Sequence, residues 1–390
     1  MATPNRRDRE RMVTAAHPMS RPTPRVPAVR HLGPNWYAAV MGTAIVASAG
    51  AALPVHLPGL RAACTAVWAL SLALLAALLA ARALHWIHHR DQARAHLLDP
   101  ATAPFYGCLA MALLAVGGGT ITVGRDWIGT EAAVALDAVL FTAGTVLGLA
   151  AAVAVPYLMA VHHRPDPRQA TPVWLLPLVA PMVSAALGPL LVPYLPPGQA
   201  RETLLLACVA LFGLSLLATL ITLPVIFARL LTAGPLPLAL TPTLFLVLGP
   251  LGQSTTAVGN VADAAPYGES VLVVVYGVPV MGFALLWCAL ATALVVRARR
   301  QGMGFAMTWW AFTFPVGTCV TGAEALGRHT GLAVFDGLAI GLYGVLVAAW
   351  AVVAVRTARG LLSGALLSGP RPAPVAPRPV TARTTSGAAR

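Results

Sequence analysis

Few residues in this sequence could do chemistry, because only 10% of its 390 residues are charged and 58% are hydrophobic. Three carboxylates stand out because each lies near one end of a long apolar stretch: Asp137, Glu324 and Asp336. A carboxylate inside an apolar stretch can relay protons. We expect all three to reach an aqueous interface, and a proton relay through them stays the alternative.

A histidine-rich segment, HWIHHRDQARAH at residues 85–96, is the second group of reactive side chains. His85, His88 and His89 carry nitrogen atoms of the type that binds zinc. The same segment also carries two arginines, as expected of a solvated basic loop. We expect the loop, and the sequence predicts no metal site and no cofactor.

The patterns of common catalytic sites are absent from the sequence. It contains no HExxH zinc site, no GxSxG nucleophile turn and no GxxxxGK[ST] phosphate loop. The basic residues that produce the net charge of +13 are spread over tails and loops without a recognition motif, so nucleic acid is not an expected partner. A membrane-embedded enzyme is therefore the weaker functional alternative.

The elements that must position these residues are membrane helices, because no soluble domain has this apolar composition. Stretches long enough to cross about 30 Å of hydrocarbon occur ten times. They predict an all-α integral membrane protein whose partner is the lipid bilayer. The predicted helices cover residues 35–55, 62–87, 104–123, 131–159, 172–194, 202–228, 240–262, 270–296, 305–325 and 333–356.

The positions of the arginines predict the orientation in the cell membrane, because basic residues accumulate on the cytoplasmic side. With both termini in the cytoplasm, 22 of the 26 basic residues lie inside. The four outside are Arg61, Arg125, Arg201 and Arg328. The predicted organisation is a basic cytoplasmic tail at 1–32, a transmembrane domain at 33–358, and a disordered cytoplasmic tail at 359–390.

A repeat is visible at the start of the odd-numbered predicted helices. Pro34, Pro104, Pro172 and Pro242 stand 70, 68 and 70 residues apart, each followed closely by an aromatic residue, and TWW at 308–310 continues the series without its proline. One period equals one helical hairpin. The chain is therefore predicted to form five parallel hairpins around a central pore, with the odd helices innermost.

Glycine and proline also concentrate at the middle of the odd helices, where a kink frees backbone groups that a water-filled cavity can satisfy. Close helix packing is the alternative reason for these residues. Hydroxyl and amide side chains beside them are weak ligands for a passing ion, although hydroxyls often bond to their own helix instead. The predicted pore-lining set is Gly42, Thr43, Pro181, Ser184, Pro250, Gly252, Gln253, Ser254, Pro315 and Gly317.

Four segments carry a family resemblance: GPNWYAAVMGTAIV (33–46), TPVWLLPLVAPMV (171–183), LGPLGQSTTAVGNV (248–261) and TWWAFTFPVGT (308–318). They resemble the tellurite-resistance/dicarboxylate transporter family, which includes fungal malate and sulfite permeases and the plant slow anion channels. Ala44 departs from the glycine that many members have there. The resemblance implies anions as cargo, a trimeric assembly, and a phenylalanine of helix 9 that closes the pore.

By this resemblance we assign the gate to Phe314. Phe312 is the second choice, because a helix turns about 100° per residue and the two rings cannot face the same way. A ring at this depth would close the pore by excluding water. The expected function is a channel or transporter for small anions: C4-dicarboxylate, sulfite, tellurite-related oxyanions, or halide and nitrate. A proton-coupled dicarboxylate carrier stays the main alternative.

Overall fold

The computed structural model describes residues 30, 32–265 and 270–367, and every regular element in these ranges is helical. The predicted tail at 1–32 lies almost wholly outside the described residues, as does the part of the C-terminal tail beyond residue 367. The main helices are α1 (Tyr37–Ala52), α2 (Leu60–His88), α3 (Gly107–Gly119), α4 (Thr130–Leu158), α5 (Leu176–Leu187), α6 (Gln199–Ala233), α7 (Leu248–Ala264), α8 (Ser270–Arg300), α9 (Phe314–Thr330) and α10 (Ala333–Leu362).

Each odd-numbered helix is preceded by a short 3-10 segment, and these segments coincide with the sequence repeat. Four contain the repeated proline in their first turn, where its missing N–H leaves no hydrogen bond unmade. The fifth precedes α9 and has no proline. The segments are Pro34–Trp36, Ala103–Tyr106, Pro172–Leu175, Thr241–Val247 and Met307–Phe312.

Seven helical runs of the described chain are long and apolar enough to cross a membrane. They fall into two classes by burial. Five of the runs contain the even-numbered helices, and only 17 to 28% of the residues in their most apolar stretches are buried. The other two runs, Ala103–Ile128 and Pro172–Tyr194, contain α3 and α5, and 89% and 83% of the residues in their most apolar stretches are buried. Apolar side chains exposed along the even helices are what a bilayer would cover. The protein is therefore an all-α protein of the integral membrane type.

The helices pack in two layers. Each odd helix contacts the next odd helix, and α9 closes the series by contacting α1. Each odd helix also packs against the even helix that follows it. The buried odd helices are thus surrounded by the even ones, in agreement with their different burial.

Three features of the structure differ from the sequence-based expectation. Pro315 and Pro250 do not bend the middle of a helix, because each lies in the first turn of α9 or α7, where the backbone needs no N–H donor. Pro181, by contrast, is inside α5 as expected. The segment predicted as a loop at 85–96 includes a helix at Arg90–Leu98, and α10 continues to Leu362.

Glycines allow neighbouring odd helices to approach closely. A Cβ atom built on Gly252 would lie 2.5 Å from the backbone nitrogen of Cys319 and from the carbonyl carbon of Thr318, both on α9. We predict that Gly252→Ala destabilises the protein by about 1–3 kcal/mol, because backbone atoms cannot move aside cheaply. The measurement is the thermal midpoint of the purified protein in detergent.

Gly249 on the same helix provides the matched control, since a Cβ there meets no atom within 4 Å. Gly249→Ala is expected to leave the midpoint unchanged. Equal midpoints for the two variants would show that the α7–α9 contact is looser than described.

Candidate functional site

A cavity of about 140 Å³ lies among the five odd helices. All five odd-numbered helices, with the helical turns that continue α3 and α5, contribute lining residues. On each helix these residues are three, four or seven positions apart, so one side of each helix faces the cavity. We call each odd-numbered helix together with such adjoining turns an odd-numbered run. The lining consists of Ile45, Ser48, Ala52, Ala115, Thr122, Val183, Leu187, Leu190, Gln253, Thr256, Asn260, Phe314, Thr321, Glu324 and Arg328. We call this space the inner cavity.

A wider space of about 450 Å³, the vestibule, adjoins the inner cavity at the C-terminal ends of the odd helices. The two share five lining residues: Ser48, Ala52, Thr122, Leu190 and Asn260. Exposed arginines and a carboxylate line the rest of the vestibule, among them Arg61, Arg125 and Asp263. The vestibule therefore leads from the surface to the inner cavity.

Phe314 is the first residue of α9 and lies at the opposite end of the inner cavity from the vestibule. The residue is 2% exposed. Phe312 does not line the cavity; its ring contacts Phe245 and Trp309, with ring centroids 5.0 and 5.7 Å away. Of the two phenylalanines considered from sequence, only Phe314 lies where it could close the cavity.

The walls next to Phe314 carry polar groups. Gln253 is 3% exposed, and its Oε1 has no hydrogen-bond partner within the described residues. The hydroxyls of Thr256 and Thr321 lie 2.7 Å apart and join α7 to α9. An unpaired buried amide is costly unless water or a ligand satisfies it. Gln253 is therefore the side chain best placed to contact a bound solute.

A charged group stands where the inner cavity meets the vestibule. Arg328 donates to the carboxylate of Glu324 one helical turn earlier and, at 2.9 Å, to Asp263 on α7. Nη2 of Arg328 also lies 3.3 Å from the side-chain oxygen of Asn260. His329 adds a second contact to Asp263, with Nε2 3.1 Å from Oδ1. The guanidinium of Arg328 is thus paired with two carboxylates at the junction of the two spaces.

The vestibule has a second, more exposed ion pair. Arg61 contacts Asp126 at 2.5 Å and the backbone oxygen of Thr122 at 3.2 Å. Arg125 lies beside this pair and contacts the hydroxyl of Tyr194 at 3.3 Å. Three of the four arginines assigned to the outer side from sequence therefore line the two spaces: Arg61, Arg125 and Arg328.

Most residues of the predicted pore-lining set are not among the cavity-lining residues, although Gln253 is. The glycines are at helix contacts: Gly42 faces Thr313 and Trp310, and Gly317 faces Ile45. Pore lining by these glycines stays a prediction, and their packing matches the alternative considered from sequence. The other members outside the lining are Thr43, Pro181, Ser184, Pro250, Gly252, Ser254 and Pro315.

The hydroxyls of this set bond mainly within the helical framework. Thr43 donates to the carbonyl of Ala39 at 2.7 Å, and Ser254 donates to that of Leu251 at 3.0 Å. Ser184 accepts from the hydroxyl of Thr145 at 2.9 Å. These groups hold the backbone and its neighbours, as hydroxyls in membrane helices often do.

The three carboxylates singled out from the sequence lie in different surroundings in the structure. Glu324 lines the inner cavity, and Asp336 lies in the first turn of α10 against Gly327. Asp137 differs from the expectation that it reaches an interface, because it is 2% exposed and packs against Gly117 of α3. It is not among the residues that line either space, so only Glu324 could contact a solute there.

Sequence reasoning missed several cavity residues. They include Ser48, Thr122, Thr256, Asn260, Thr321 and Arg328. A signal was present, because Gln253, Thr256 and Asn260 repeat at helical spacing, and so do Phe314, Thr321 and Arg328. Most of these residues lie closer to the vestibule than the glycines and prolines from which the pore-lining set was predicted.

The histidines of the 85–96 segment do not converge on a metal. In the described ranges no group of three or more metal-ligating side chains is brought together. His85 stacks instead on His96, with ring centroids 5.5 Å apart and planes 6° from parallel.

Comparison with known proteins agrees with this picture. Residues 31–358 match the family model described as SLAC1, voltage-dependent anion channel. An uncharacterized transporter of Methanocaldococcus jannaschii is 27% identical over 345 residues, covering 87% of this chain and 96% of the relative. The sulfite efflux pumps SSU1 of Arthroderma otae and Trichophyton rubrum are each 27% identical, covering 84% of this chain and 90% of those proteins.

Proposed function

The chain belongs to the voltage-dependent anion channel (SLAC1) family, and on this basis we propose that it moves small anions through the inner cavity, with Phe314 as the gate. Because the family model describes an anion channel and the relatives are named as transporters and efflux pumps, the chain belongs to a family of membrane transport proteins. The resemblance to the tellurite-resistance/dicarboxylate transporter family is confirmed. The path, the gate and the cargo are what the proposal adds.

The observation that carries the proposal is the lining of the inner cavity by all five odd-numbered runs, with a buried aromatic ring at its inner end. A conduit needs a wall on every side, and a ring of contacting helices provides one. A phenylalanine at the end of such a conduit would exclude water and so stop ions until the ring moves.

Ten membrane crossings, arranged as five parallel hairpins in a domain at 33–358, fit this path. The α-helical parts of α1, α7 and α9 have only 16, 17 and 17 residues. With their 3-10 segments they cover residues 34–52, 241–264 and 307–330. At about 1.5 Å per α-helical residue and about 2.0 Å per 3-10 residue these lengths are roughly 30, 39 and 38 Å, enough for a core of about 30 Å.

Both termini are proposed to be cytoplasmic, which makes the vestibule extracellular and the aromatic group around Trp309 cytoplasmic. The arginine distribution supports this orientation in the cell membrane. Assembly as a homotrimer, which the resemblance implies, is part of the proposal.

The size of the inner cavity favours a small cargo. About 140 Å³ corresponds to roughly four or five water molecules at about 30 Å³ each. Chloride, nitrate or sulfite would fit with some water, whereas a C4-dicarboxylate of about eight heavy atoms would fill the space completely. The sulfite efflux activity named for two relatives is consistent with an ion of this size.

A proton-coupled carrier is the second candidate, and the position of Glu324 favours it. This carboxylate lines the inner cavity and is 8% exposed. A carboxylate on an ion path could bind a proton together with the cargo.

Flux into proteoliposomes tests the proposal. We predict passive uptake of chloride, nitrate and sulfite, and malate uptake at least about tenfold slower because of the cavity size. The panel includes tellurite, and each anion is measured with and without a pH gradient. Saturable malate uptake that depends on the gradient would favour the proton-coupled carrier, and no uptake of any anion would refute transport by this path.

A further inference from the structure

The inner cavity combines a positive donor with a negative acceptor. Arg328 supplies guanidinium N–H groups, and Glu324 supplies a carboxylate in the same wall. Glu324 has a side-chain exposure of 10%, compared with 39% for Arg328. The carboxylate is therefore the more enclosed of the two charges.

The charges around this point do not favour a simple anion. Arg328 carries one positive charge and contacts two carboxylates, those of Glu324 and Asp263. His329 contacts Asp263 on its other oxygen and is charged only when protonated. An anion that enters next to Glu324 meets a like charge in a partly desolvated space, where repulsion is stronger than in water.

An anion that carries its own O–H group changes this balance. Its charged oxygen can accept from Arg328, and its O–H can donate to Glu324, which turns a repulsive contact into a charge-assisted hydrogen bond. A carboxylate can accept about four hydrogen bonds, and the contact with Arg328 uses one.

Gln253 provides an independent observation that a ligand belongs here. The residue is 3% exposed, and its Oε1 has no hydrogen-bond partner within the described residues. An amide both donates and accepts, so it can match a ligand that has both kinds of group. Gln253 lines the same cavity as Glu324 and Arg328.

We propose that the inner cavity selects singly charged oxyanions that retain one O–H group, with Arg328 as donor and Glu324 as the acceptor that sets this specificity. The inference rests on the proposed path through this cavity. It names the class to which hydrogencarbonate and hydrogensulfite belong, and it places halides, nitrate and doubly charged anions among the poorer cargoes.

The test compares hydrogencarbonate with nitrate, because both are planar monoanions of similar size and only hydrogencarbonate has an O–H group. Their permeability ratio is measured from reversal potentials or matched fluxes at one pH, with equal dissolved carbon dioxide on both sides. We expect the wild type to prefer hydrogencarbonate by about tenfold, the range of a hydrogen bond to a charged group. A wild-type ratio of one or less would overturn the inference without any variant.

Glu324→Gln tests the acceptor and keeps the size of the side chain. The ratio is expected to fall to about one, since the amide binds nitrate and hydrogencarbonate comparably. Asp263→Asn is the matched control: it removes a carboxylate from the same arginine, but Asp263 lines the vestibule and not the inner cavity. Its ratio should stay within about twofold of wild type.

The outcomes separate the two proposals. An equal fall of the ratio in both variants would mean that general electrostatics controls selection, and the inference would be wrong. A wild type that carries nitrate without preference also contradicts the inference but leaves the proposed path intact. If the wild type carries neither anion, the proposed function itself fails. The amount of protein in the membrane is measured for every variant.

Discussion

Replacing Phe314 with alanine is expected to raise anion flux by on the order of tenfold or more, because its ring fills the inner end of the cavity and the other lining residues of the described chain are polar or aliphatic, none of them aromatic. Phe314 is 2% exposed and begins α9, so its backbone is fixed while its ring projects into the conduit. Removing the ring leaves a wet opening in place of a dry constriction. The measurement is single-channel current or initial flux in proteoliposomes, normalised to protein.

Phe312→Ala is the control for this prediction. Phe312 is two residues away but packs against Phe245 and Trp309, outside the cavity. Its loss should reduce stability through a weaker aromatic cluster and leave flux per folded molecule nearly unchanged. Similar increases for both variants would show that loosening of α9, and not removal of a gate, raises the flux.

Those parts of the fold that depend on residues close together in the chain could be predicted from the sequence. The repeated prolines mark real features, because proline restricts the backbone at its own position and therefore identifies the 3-10 segments that begin the odd helices. The break before α9 was assigned to the wrong cause for a related reason. Pro315 lies within the first turn of the new helix, and the boundary between the 3-10 segment and α9 is at Thr313, with φ −100° and ψ −79°.

The candidate site was harder to predict because it depends on packing between distant segments. Phe314 was assigned from the family resemblance and Gln253 from its position beside the glycines and the proline of its helix, and both line the inner cavity. Arg328 was treated only as an indicator of orientation. Its role in the wall depends on Asp263 and Asn260, which are 65 and 68 residues away.

Burial of Asp137 illustrates the same limit. Position near the end of an apolar stretch suggested exposure, but the side chain is covered by α3, where Gly117 provides room for it. Helix periodicity specifies which side of a helix a residue occupies, whereas the neighbour on that side is a tertiary property. The glycine that makes the contact lies 20 positions away in the sequence.

The central claim is that anions pass through the inner cavity, and chemical modification of Ser48 tests it most directly. Ser48 lines both the inner cavity and the vestibule. Treating Ser48→Cys with a water-soluble, negatively charged thiol reagent would add volume and a fixed charge to the path. The wild type gives the baseline, since four of its five cysteines are buried and Cys288 is half-buried.

Thr130→Cys provides the control at the same end of the bundle, because Thr130 is exposed and outside both linings. We predict that modified Ser48→Cys loses all but about a tenth of its anion flux, as expected when a narrow conduit is filled, while modified Thr130→Cys keeps its flux. Full flux through Ser48→Cys after complete modification would contradict the account, because the ions would then cross the membrane elsewhere.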